Sequence, residues 1–134
     1  RAPNVRVERW VSHTDLLPRC SVVVTTGGPA TVMAALQAGV PLVIVPTTWD
    51  KPENAQRVVE AGAGIRISPR RCTSARLRSA VQRILEEPSY RDHARDIARR
   101  LKEASGPPGA AVLLEKLADD RAVAAQRLLA ARGY

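Results

Sequence analysis

Aromatic side chains are almost absent from the 134 residues, which hold no phenylalanine, two tryptophans and two tyrosines. So few flat faces leave little with which to stack bases, and this argues against nucleic acid as a partner despite a net charge of +8. Cysteine is scarce too. Cys20 and Cys72 allow a single pairing and neither stands in a short-spaced Cys/His cluster of the kind zinc requires, so both read as reduced thiols of a cytoplasmic protein. The two histidines, His13 and His93, make no metal pair, and no Ser-His-Asp or Cys-His set is assembled. No apolar run approaches the roughly 20 residues of a membrane-spanning helix, and no basic, apolar, small-residue secretory pattern opens the chain. The opening Arg1-Ala2-Pro3, without a methionine, reads as a piece of something longer.

What is present suits one soluble domain: 45% hydrophobic and 25% charged residues in 14.5 kDa. The charge is uneven. Residues 1–65 carry six basic and five acidic side chains and residues 66–134 carry fifteen and eight, so +7 of the excess belongs to the second half. That excess is compatible with a peripheral contact to an anionic membrane surface, or with a coding bias toward arginine.

Val5 to Val11 alternates apolar and polar, the period of a half-buried strand. Ser12 to Arg19 is a loop or short helix. Val22-Val23-Val24 is a β-branched run without a polar face, as expected of a strand buried on both sides of a parallel sheet, and it ends in Thr25-Thr26-Gly27-Gly28-Pro29. Ala30 to Ala38 follows as a helix stopped by Gly39, then Leu42 to Val45 as a second buried strand, so the centre is a βαβ unit. Glu53 to Ala61 is a helix ended by Gly62, and Gly64 to Ile67 a third strand. A helix capped by Thr73 or Ser74 buries Leu77, Ala80, Val81, Ile84 and Leu85 and stops at Pro88. Ser89 caps the next, which buries Tyr90, Ala94, Ile97, Ala98 and Leu101 and leaves Arg91, Arg95, Arg99 and Arg100 in solvent. Ser105 to Gly109 breaks the chain before an amphipathic stretch through Leu113, Leu114 and Leu117.

Two loops carry candidate chemistry. A strand ending in Gly27-Gly28 at a helix start brings backbone close to a ligand and offers free N–H groups to a phosphate, although a tight turn with no ligand would use the same glycines. The second loop, Pro46 to Asn54, follows the next parallel strand and should open on the same crevice, since ligands of doubly wound sheets bind beyond the carboxyl ends of the strands. Asp50 there is either a ligand group or a helix cap. Trp10, beside His13 at the end of the first strand, either stacks on a heterocyclic base or closes a small core.

In combination, Trp10-Val11-Ser12-His13, Thr25 to Thr31, Gly39 to Pro46 and Asp50 to Val58 resemble the C-terminal nucleotide-sugar-binding domain of GT-B glycosyltransferases. The likeness, over about residues 3 to 118, is strongest to bacterial macrolide and natural-product enzymes, which are related to the UDP-glycosyltransferases. It implies an α/β fold with a Rossmann-like parallel sheet and flanking helices, lacking its first strands. It also implies a donor domain over residues 1–118 and a helical tail over 119–134.

By this resemblance Trp10 stacks on the base, with His13 where the family has a Gln. Thr26, Gly27, Gly28 and Thr31 stand in the pyrophosphate loop, Asp50 and Lys51 face the donor sugar, and Asn54 opens the following helix. Thr26 occupies the place of a His, Ala30 that of a Gly or Asn, and Ala34 that of a Glu that bonds the ribose. The implied substrate is a UDP- or TDP-sugar, with neither metal nor other cofactor. The implied reaction is inverting transfer to a hydroxyl of a lipid-like or natural-product acceptor. Its base lies on an N-terminal acceptor domain, or a separate acceptor subunit, outside these residues, so the chain alone holds no catalytic residue and should be inactive. The alternative is a noncatalytic nucleotide-sugar-binding subunit or a degenerate interaction module, which Thr26 and Ala34 favour.

Overall fold

The structure is a computed structural model and describes residues 3–104 and 106–131, their side chains through Arg121 and at Val123. Three strands, β1 (Val23–Thr25), β2 (Leu42–Ile44) and β3 (Gly64–Arg66), pair in parallel in the order β1-β2-β3, with Val24 opposite Val43 and Val43 opposite Ile65. Helices α2 (Pro29–Gln37) and α3 (Lys51–Glu60) are the crossovers. Before them come α1 (His13–Leu16) and a 3-10 turn, Leu17–Arg19; after β3 come a second such turn, Pro69–Arg71, and α4 (Ser74–Glu86), α5 (Pro88–Glu103) and α6 (Gly106–Ala131). The α/β, Rossmann-like expectation holds, and β2 explains its continuous apolar run: Leu42, Val43 and Ile44 are all fully buried.

Alternation along β2 sorts the core into two layers. Leu42 and Ile44 join Val32, Leu36, Val58 and Ala94 under α2, α3 and α5, whereas Val43 joins Ile67, Ala80 and Ile84 under α4. Both crossover helices end in a Schellman motif with glycine at positive φ. Val40 and Ala63 donate back to Ala35 and Val58, and Gly39 and Gly62 to Leu36 and Val59. Thr73 caps α4 through its Oγ1, which accepts from Arg76 N at 3.3 Å.

Several expectations fail. Val5 to Val11 is not a strand: Val5 and Val7 are exposed, because an alternating segment becomes a strand only where a neighbour offers it a ladder. β1 is not buried on both faces either, since Val24 sits at the sheet edge beyond α4, which packs on β2 and β3, and keeps 49% of its surface. Pro88 opens α5 instead of only ending α4, so Ser89 is no cap; its missing N–H costs nothing in a first turn. Leu85, one residue past the buried Ile84, turns off the packed stripe and is exposed. Arg91 is not left to solvent, for its Nη2 donates to the carbonyls of Ser21 at 3.0 Å and Cys20 at 3.5 Å.

The chain divides into two compact units, one ending at Leu101 and the next starting at Lys102. In the second, Gly106 to Gly109 form the first turn of α6 in place of the expected break, whose Ser105 lies outside the described residues, as do residues 132–134 of the expected tail. Leu113, Leu114 and Leu117 are exposed there. Among the described residues no helix is long and apolar enough to cross a membrane.

Candidate functional site

The strands run the same way, so the loops after β1 and β2 leave the sheet on one rim. The first is drawn tight. Gly27 has φ +90, its N–H donates to Thr25 Oγ1 at 3.2 Å, and a Cβ on it would lie 2.9 Å from Ile44 Cγ2 and 3.2 Å from Lys51 O. Only glycine fits both that backbone and that gap. Gly28 then takes the N-cap position of α2 and accepts from Val32 N at 3.0 Å. Pro29 has no N–H to satisfy, so the amides of Gly28, Ala30 and Thr31 are the donors this helix start can offer an anion. Thr26 is exposed beside them and Thr31 half-buried.

The second loop is bound to the first by one side chain. Asn54, in the first turn of α3, donates through Nδ2 to Gly27 O at 3.2 Å and to Asp50 Oδ2 at 3.0 Å. One amide thus holds the glycine loop and the acid together. Asp50 occupies the N-cap position of α3 with helical backbone and no side-chain cap bond, so the capping role considered for it is not observed. Lys51 Nζ donates to Thr47 Oγ1 at 3.1 Å across the base of the loop. At its apex Trp49 has φ +66 and is 92% exposed.

Trp10 and His13 line other depressions. Trp10, 80% exposed, lines a 540 Å³ depression with Arg6, Glu8, Val11, Asp15 and Arg19. His13, exposed at the start of α1, lines a smaller one of 220 Å³ with Leu17, Pro18, Ala34 and Gln37. They do not share a strand end as expected, although Ala34 and His13 do share a wall. Among the described residues no three His, Cys, Asp or Glu side chains gather as a metal site.

The pair of hydrogen bonds made by Asn54 is only half legible in the sequence. Its half toward Asp50 has a sequence signal, the i, i+4 spacing of facing residues on a helix. The other half joins residues 27 apart in sequence and has none. The left-handed backbone of Trp49 also left no signal.

Comparison with known proteins supplies the context. The family described as erythromycin biosynthesis protein CIII-like, C-terminal domain, matches residues 2–119. The chain is 46% identical to 4'-demethylrebeccamycin synthase of Lentzea aerocolonigenes over 91 residues, 68% of this chain and 22% of that protein. It is 37% identical to tylactone mycaminosyltransferase of Streptomyces fradiae over 114 residues, 85% of this chain and 25% of that one. The solved structure of glycosyltransferase VinC in complex with DTDP aligns with a TM-score of 0.70 and 37% identity over 72% of this chain and 25% of that one. The chain therefore spans about a quarter of the length of the relatives it matches.

Proposed function

Because the chain belongs to the erythromycin biosynthesis protein CIII-like C-terminal domain family of glycosyltransferases, we propose that it is a donor domain binding a UDP- or TDP-sugar on the rim built by the Gly27 and Asp50 loops. The observation that carries the reading is the Asn54 amide, which unites a helix start suited to a diphosphate with a carboxylate suited to sugar hydroxyls. In this reading the amides of Gly28, Ala30 and Thr31, with the Thr26 and Thr31 hydroxyls, hold the diphosphate and stabilise it as it leaves. Asp50 accepts from the sugar, aided by Lys51. Trp10 covers the base and His13 the nucleoside side. The acceptor hydroxyl attacks the anomeric carbon opposite the leaving diphosphate, giving inversion, while a base on an acceptor domain or subunit outside these residues removes its proton. The chain alone is then a cytoplasmic binding unit without turnover, with residues 1–118 as the donor domain and 119–134 as a tail.

Thr26 and Ala34 favour a second reading, a module that has lost donor affinity, because Thr26 lacks the charge of a His and Ala34 the acceptor of a Glu. Calorimetric titration with dTDP and UDP separates the two. The donor reading expects a Kd on the order of 1 μM to 1 mM, the usual range for substrates, weakened for a nucleotide sugar by Asp50→Ala. No heat of binding from either nucleotide would leave the second reading standing.

A further inference from the structure

Trp49 is the most exposed large apolar side chain among the described residues, at 92%, and their one non-glycine residue with positive φ, at +66. For a bulky aromatic both features are unfavourable: the left-handed region crowds its Cβ, and the indole gains nothing from burial. The backbone is held there from both sides. Pro46 is buried at the loop's base, Lys51 Nζ bridges to Thr47 Oγ1, and Asn54 N donates to Asp50 O at 3.0 Å. Strain that no packing repays, next to the acid of the candidate site, calls for a ligand. Asp50 has one oxygen engaged by Asn54 and, among the described residues, no protein partner on Oδ1.

We propose that Trp49 determines sugar selection: its indole face stacks on the C–H face of the donor's pyranose ring while Asp50 Oδ1 accepts from the ring's hydroxyls. A pyranose is polar at its edge and apolar on its faces, so a flat aromatic beside a carboxylate matches both surfaces. The inference rests on the donor-domain reading and refines it.

The test compares dTDP with dTDP-glucose by calorimetry on the intact protein, together with thermal unfolding. Trp49→Gly removes the indole and relieves the backbone. It should weaken dTDP-glucose about five- to tenfold, the size of one aromatic contact, leave dTDP within about twofold, and not lower Tm. Trp49→Phe should recover most of the loss. An equal loss for both ligands, a loss for neither, or a lowered Tm would overturn the proposal, the last by showing the indole to be structural. A wild-type protein that binds neither these ligands nor UDP and UDP-glucose would fail the donor-domain reading itself, and this inference with it.

Discussion

If Asn54 is the tie between the two loops, its removal should cost stability and ligand affinity together. Asn54→Ala deletes a part-buried neutral bond to Gly27 O and an exposed bond to the Asp50 carboxylate. The first is worth about 1 kcal/mol, and the second, screened by water, about 0.5 kcal/mol. Alanine returns up to about 0.5 kcal/mol through its better helix propensity, leaving a net loss of about 1 kcal/mol. For a chain of this size that lowers Tm by about 4 °C. Asn54→Asp should be worse, at about 2 kcal/mol, because the introduced carboxylate cannot donate and faces Asp50 across one helical turn. Protonation restores a donor and removes the repulsion, so the Asp variant's deficit relative to wild type is full at neutral pH and shrinks as pH falls toward about 4, the ordinary carboxylate range. Thermal unfolding at pH 7 and pH 4.5, with dTDP titration at pH 7, measures all three. An Asn54→Ala variant within 1 °C of wild type and with unchanged affinity, or an Asp variant no worse than Ala, would show that the amide bonds do not hold the site.

Thr26→His tests the loop assignment: the imidazolium would add a charge-assisted bond of about 1 to 2 kcal/mol. Affinity for dTDP should then rise as pH falls through about 6.5, the ordinary histidine value, with a steeper slope than wild type. Equal slopes in calorimetry at pH 6 and 8 would mean that Thr26 does not face the phosphates. Arg91→Ala should cost about 1 kcal/mol by removing its charge-assisted bonds to the carbonyls of Ser21 and Cys20, whereas Arg99→Ala, which breaks an exposed pair with Asp96, should stay within about 0.5 kcal/mol. Urea midpoints of the two variants rank them, and equal values would refute the distinction.

Local chemistry was enough to read much of this protein. Glycine after a helix-forming run marks a Schellman end at Gly39 and Gly62, and Thr73 marks a cap, because each follows from backbone geometry within a few residues. The β2 run is buried as its composition implies, and the paired glycines announce the strand-to-helix turn. Tertiary structure decided what depends on neighbours. Val5 to Val11 has the period of a strand and, among the described residues, no ladder to join; Val24 is as apolar as Val43, but only Val43 lies beneath α4. Arg91 has the pattern of a surface residue, yet it reaches two carbonyls some seventy residues back along the chain. The candidate site divides along the same line. Gly27, Gly28 and Asp50 could be picked out from turn and helix-start chemistry, whereas the bond from Asn54 to Gly27 exists only because parallel strands deliver both loops to one rim, a consequence of folding that no spacing along the chain encodes.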